Sequence, residues 1–235
     1  MASDADQGRP GAAGLLAGAL VQLTDRRWLP VALLFLVFLG GTNTLLALSK
    51  PEAGAKPGLA FAAAGLIRVL ALVSISVAAL RIATDSPRRR WMPDGGLWLY
   101  FVLSLTSLAG AALGALLGAR LGTAGRIILT ELAGIVLVAP IAVWSVAAAT
   151  ERPLASSPAP RLRRLRAWLP AYLLWSILLV VPLACLHAYL SLRLIETVGR
   201  AVFWPLAAVD AVASTLLVLL GLALRVAAYR RVAPR

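Results

Sequence analysis

The sequence predicts an all-α protein: a polytopic transmembrane helix bundle of six spans, paired as three hairpins, with an N-terminal interfacial helix. Three observations predict it. Of the 235 residues, 60% are hydrophobic and 14% charged, whereas a soluble domain carries about a quarter charged residues. So little polar surface cannot cover a core against water. Apolar runs of about 20 residues recur along the chain, the length a helix needs to cross bilayer hydrocarbon. None of these runs alternates apolar with polar, as the strands of a membrane barrel do.

The elements follow in chain order. Residues 1–27 read as a cytoplasmic N-terminal segment. Its stretch "PGAAGLLAGALVQLTDRR" is too short to span and follows Asp4 and Asp6, not the basic region that opens a signal peptide. An interfacial helix turning into the first span at Pro30 is expected; a disordered tail is the alternative. A transmembrane domain covers 28–231, with spans at 28–49, 58–84, 97–119, 127–150, 168–190 and 201–229, and 232–235 form a cytoplasmic tail.

Odd-numbered spans open alike, with "RRWLPVALLFLV", "GGLWLYFVLSL" and "RAWLPAYLLWSI". Their tryptophans, Trp28, Trp98 and Trp168, are expected at the cytoplasmic headgroup level. Pro30 and Pro170 fall in a first turn, where the missing N–H has no helical partner anyway. Even-numbered spans close alike, with "SVAALRIATDSP", "WSVAAATERP" and "GLALRVAAYRR". Three hairpins follow, related by duplication of an internal repeat or by shared interface chemistry. Inside the fourth and fifth spans, Pro140 and Pro182 should kink the helix, since each removes a backbone donor and crowds the preceding turn.

The third span carries a packing signal. Gly110, Gly114, Gly118 and Gly122 recur at four-residue spacing on nearly one helix face, and small residues there let two backbones approach closely. The face fits either a neighbouring span of the same chain, or a second copy or membrane-protein partner.

Orientation follows from the basic residues. One side collects Arg26, Arg27, Arg81, Arg225, Arg230, Arg231, "PRRR" and "RLRRLR", while the other has Lys50, Lys56, Arg120, Arg126, Arg193 and Arg200. Both termini are therefore expected in the cytoplasm. Arg88, Arg89, Arg90, Arg161, Arg163, Arg164 and Arg166 are expected to contact anionic lipid headgroups, which attract basic residues by about 1 kcal/mol each. The alternative is a docking site for a cytoplasmic partner. The net charge of +13 is spread between apolar runs, not along one soluble face, which argues against nucleic acid binding. Abundant Ala, Leu, Arg and Gly with almost no Lys suggests a GC-rich bacterial genome, hence an inner-membrane location.

Four polar residues share one layer of the bundle. Arg68 lies thirteen residues from Arg81, about 20 Å at 1.5 Å per residue. Asp210 lies at a similar height above Arg225, Asn43 above Trp28, and Glu131 slightly higher in the fourth span. A charge at mid-helix costs about 2.5–3.5 kcal/mol on insertion scales. Arg68 is expected to face inward and pair with Asp210 through two guanidinium hydrogen bonds, with Asn43 and Glu131 as second partners. Snorkelling to the outer headgroups is the alternative for Arg68 and Glu131.

The inventory excludes several chemistries. Cys185 is the one cysteine and His187 the one histidine, so no internal disulfide, CxxC site or paired-histidine metal site is available. There is no Walker loop and no HExxH motif, and the acidic residues are scattered singly. No catalytic residue, metal or cofactor is expected. The reading carried furthest is a non-catalytic subunit or scaffold of a membrane complex. The alternative is a small-solute or lipid transporter or channel with a charged intramembrane site. Six spans are few for a transporter acting alone, so a homo-oligomer or partner subunit is expected with it.

Overall fold

Hydrocarbon offers no hydrogen bonds, so each apolar run must satisfy its backbone within its own segment, and a helix does so. The computed structural model describes residues 11–51, 56, 58–151 and 159–232, and every regular element among them is helical. Six helical stretches are long and apolar enough to cross a membrane: Arg26–Leu48, Leu59–Ala83, Gly95–Arg120, Gly122–Thr150, Leu169–Glu196 and Phe203–Val232. The predicted polytopic bundle is the fold. The elements are α1 (Ala12–Leu23), α2 (Leu29–Leu48), α3 (Leu59–Ala83), α4 (Gly95–Leu117) and α5 (Gly122–Val138). They continue with α6 (Ala142–Thr150), α7 (Ala159–Leu165), α8 (Leu169–Trp175), α9 (Val181–Glu196) and α10 (Phe203–Val232).

The two mid-span prolines mark the interruptions. At Pro140 a short 3₁₀ turn, Ala139–Ile141, divides the fourth span into α5 and α6. In the fifth span a π-helical turn, Ser176–Val180, joins α8 to α9 just before Pro182. Proline removes one rung of the ladder, and a local change of helical pitch lets neighbouring groups re-pair. The fourth and fifth spans are longer than expected, starting at Gly122 and ending at Glu196. Helices can run past the hydrocarbon once polar side chains reach water, and the exposed Arg193–Glu196 pair at 2.8 Å sits at that end.

The longest helix, α10, packs against α1, α2, α6 and α9. Burial is heaviest toward the arginine-rich face, where α3, α6 and the last turns of α10 meet: Val77, Leu80, Val146 and Leu224 are all fully buried. The first helix, α1, lies against the end of α10, with Gly18 facing Ala227 and the Trp175 indole N–H donating to the Ala12 carbonyl at 2.7 Å. The three tryptophans do not share one setting. Trp98 is exposed, Trp168 stacks under Arg231 at 5.4 Å, and Trp28 is buried in the core. Trp28 is therefore covered by protein and does not present its ring to the headgroups.

The glycine face of α4 packs on α5 of the same chain. A methyl group on Gly114 would sit 2.3 Å from the Leu129 carbonyl oxygen, and on Gly110 2.8 Å from the Gly134 Cα. On Gly118 it would come within 2.6 Å of the Arg126 Cα. Gly122 does not belong to this face. It opens α5 with φ of +67°, where a Cβ would meet nothing, so it serves the turn through a conformation that glycine adopts freely.

The arginine-rich face is partly spoken for. Arg89, Arg90, Arg163, Arg164 and Arg166 are exposed. Arg88 is buried, donating to the Glu151 carbonyl at 2.8 Å and to Asp94 at 2.7 Å, so it does not stand free for lipid as expected. Arg161 is engaged by the Glu151 carboxylate. Arg81 is buried too, reaching the carbonyls of Ala149, Arg89 and Met92 and the Asp94 carboxylate at 2.6 Å. Asp94 also caps α4, accepting from the Leu97 N–H at 3.1 Å. Burial raises the Asp94 pKa, but donors from Arg88, Leu97 and Arg81 outweigh it and hold the carboxyl below the usual range. These bonds fasten the 84–94 connection under the bundle.

Candidate intramembrane site

Four helices bring polar side chains to one place in the half of the bundle away from the arginine-rich face. Asn43 lies five residues from the end of α2, Arg68 nine residues into α3, His187 nine residues from the end of α9, and Asp210 seven residues into α10. At 1.5 Å per residue, all sit about 8–14 Å inside their helix ends. Asp210 is fully buried and Asn43 nearly so.

Asp210 is the hub. Its Oδ2 accepts from Asn43 Nδ2 at 2.7 Å, and its Oδ1 lies 2.6 Å from His187 Nδ1 and 3.4 Å from the Ser191 hydroxyl. Ser191 is one turn from His187 on α9, and Ser214 is one turn from Asp210 on α10, where its hydroxyl donates to the Asp210 carbonyl at 2.7 Å. Asn43 turns its Oδ1 to accept from Arg68 Nη1, while Arg68 Nη2 lies 3.4 Å from His187 Nε2. The bonds fix one consistent proton assignment. An ionised carboxylate only accepts and a guanidinium only donates, so His187 carries its proton on Nδ1 toward Asp210 and offers Nε2 to Arg68. A proton on Nε2 would set donor against donor.

Arg68, Asn43 and Asp210 thus come together, but without a direct Arg68–Asp210 ion pair. Asn43 and His187 stand between them, because α2 packs between α3 and α10. Glu131 does not join as a second partner. Its helix packs on α4 and α9, and the side chain lines a cavity, within electrostatic reach of His187.

That cavity has a volume of ≈ 340 Å³ and lies between the α4–α5 hairpin and the rest of the bundle. Its wall is mainly apolar, with Val73, Phe101, Val138 and Leu222 prominent, and Ser76, Ser104 and Ser145 interspersed. Glu131 marks one end and Arg225 with Tyr100 the other. Leu105 and Leu108, both on the wall, are also 41% and 55% exposed, so the cavity opens sideways toward the lipid-facing surface of α4. Among the described residues no three His, Cys, Asp or Glu side chains gather as a metal site would need.

Two participants escape a reading of the sequence. His187 looks like a lone histidine, although its spacing of four from Ser191 and its depth in the fifth span are signals. Arg225 counts in the sequence only as a basic residue of the cytoplasmic side, yet it turns inward. Comparison with known family models, characterised proteins and solved structures finds no match.

Proposed function

We propose that this chain is a non-catalytic bacterial inner-membrane transporter of a small amphiphilic solute or lipid, with both termini and the arginine-rich face in the cytoplasm. Arg68, Asn43, His187 and Asp210, with Glu131, form its charged site. The observation that carries this reading is a chamber of ≈ 340 Å³ inside the membrane-spanning region, with Glu131 on its wall facing the polar cluster. Ionisable groups at this depth are expensive and line solute or ion paths. A chamber forfeits the dispersion contacts of its lining, which a scaffold has no use for.

The competing reading, a subunit or scaffold of a larger complex, draws on the glycine face of α4 as a partner surface. That face is covered by α5. The exposed arginines 89, 90, 163, 164 and 166 suit anionic lipid headgroups at the cytoplasmic surface.

The test is reconstitution of the chain alone into liposomes of phosphatidylcholine and phosphatidylglycerol carrying a fluorescent acyl-labelled phosphatidylglycerol. Dithionite bleaches only the outer leaflet, so translocation appears as loss of the protected half. A transporter speeds that loss over protein-free liposomes. A chain that is inert alone, and leaves mild detergent only with a fixed set of membrane proteins, is a scaffold.

A further inference from the structure

Arg225 is a partly buried cation on the chamber wall, with no anion beside it among the described residues. A guanidinium has five donors. Its Nη1 donates to the Tyr100 hydroxyl at 3.3 Å, and the Tyr172 hydroxyl is adjacent. Its Nε is buried without a hydrogen-bond partner, and no carboxylate pairs with it among the described residues. Arg81 and Arg88, the buried arginines of this half of the protein, share the Asp94 carboxylate. A charge without a counter-ion and a buried donor without a partner each carry a penalty, and here both belong to one partly buried side chain that faces a chamber.

The chamber has the shape of an amphiphile. Along α10 its wall runs from Leu217 to Arg225, and along α4 from Leu108 to Tyr100, in each case eight residue steps, or about 12 Å at helical rise. The polar end holds Arg225 and the Tyr100 hydroxyl, about one and a half turns in from Arg230. The middle is apolar, and the mouth at Leu105 and Leu108 lies on the lipid-facing side. Glu131 lies on the wall at the far end.

We propose that this chamber binds a single-chain anionic amphiphile, its carboxylate or phosphate on Arg225 and its tail along α4 and α10 toward the mouth. The proposal rests on the reading of the chamber as a solute site, and not on movement of the solute across the membrane. The anion supplies the acceptor that Nε lacks, and the tail replaces missing wall contacts. Carboxylate and phosphate present the same acceptor oxygens, and the two sources, a free fatty acid or a phosphate-headed lipid, are separated by the probes.

The test is equilibrium binding of laurate, dodecyl phosphate and dodecanol to the chain in phosphatidylcholine nanodiscs, with empty nanodiscs subtracted. One or both anions should bind at least about tenfold tighter than dodecanol, the size of one charge-assisted hydrogen bond set. Arg225→Gln should erase that preference and leave dodecanol unchanged, while Arg225→Lys keeps part of it. Val218→Phe, which fills the chamber, should weaken all three alike. The anion that binds tighter names the source. Equal binding of the three probes to the unaltered protein overturns the proposal without any variant, and so does an anion preference that survives in Arg225→Gln. Because binding is read at equilibrium, failure of translocation in liposomes leaves this result standing, and the reverse.

Discussion

Replacing Asp210 with Ala removes the acceptor for Asn43 Nδ2 at 2.7 Å and for His187 Nδ1 at 2.6 Å, and leaves the Arg68 charge without its counter-charge. Hydrogen bonds to a charged group contribute about 1.5–3 kcal/mol in water, but polar contacts between membrane helices contribute about 0.6–2 kcal/mol. Stranding a buried charge adds about 3–5 kcal/mol where no water reaches it. Arg68 is only partly buried, which places the expected loss near the lower end, at about 3 kcal/mol. For a chain of this size that lowers the melting temperature by about 6–12 °C, measurable by fluorescence-detected size exclusion after heating. Arg68→Leu should cost a similar amount, since Asp210 is then the stranded charge. The double variant strands neither, so its cost should fall short of the sum by about 1–3 kcal/mol. Additivity within about 0.5 kcal/mol would show that the two charges do not sense each other through Asn43 and His187, and the site as drawn would be wrong.

Three further outcomes are expected. Gly114→Leu should abolish stable folding, because a Cβ there meets the Leu129 carbonyl oxygen at 2.3 Å and backbone cannot yield, whereas Leu116→Ala at a site 75% exposed should melt within a few degrees of the parent. Asp94, whose folded pKa lies below its unfolded value of about 4, stabilises above that value, and the stability is lost as pH falls through the folded pKa. Melting temperature measured from pH 7 to pH 3 should drop at the acid end in the parent, and Asp94→Asn should start lower and vary less; an equal acid drop in both would remove the Arg81–Asp94–Arg88 cluster from the account. Reporter fusions should place Gly122 outside and a tag after Arg235 inside, and the same side for both would contradict the orientation drawn from the arginines.

Architecture was legible because it depends on summed properties. Run length and apolarity identify spans whatever their partners, and Pro140 and Pro182 announce their interruptions by chemistry local to the chain. The depth of Arg68, Asn43 and Asp210 was legible for the same reason, since counting residues along a helix measures height. Rotation about the helix axis was not. Height alone suggested a direct Arg68–Asp210 pair, and only the placement of α2 between α3 and α10 shows Asn43 as the intermediary. The same gap assigned Arg88 to the lipid headgroups and left Arg225 as one more arginine of the cytoplasmic side. An arginine near a span end looks alike in sequence whether it turns out to lipid or in to Asp94 or Tyr100. His187 was passed over because a lone histidine excludes metal chemistry, an argument that says nothing of a hydrogen bond to an aspartate from another helix.

The account turns on whether the polar cluster and the chamber work together to move a solute. The most direct measurement is the dithionite translocation rate in liposomes containing this chain alone, compared at equal folded-protein density with Asp210→Asn and Val218→Phe. If the cluster and the chamber act together, the unaltered chain gives a rate above protein-free liposomes, and both variants fall toward that background, one through the charged site and the other through the filled chamber. A rate at background for the unaltered chain, or a folded Asp210→Asn variant that translocates as fast as its parent, would contradict it.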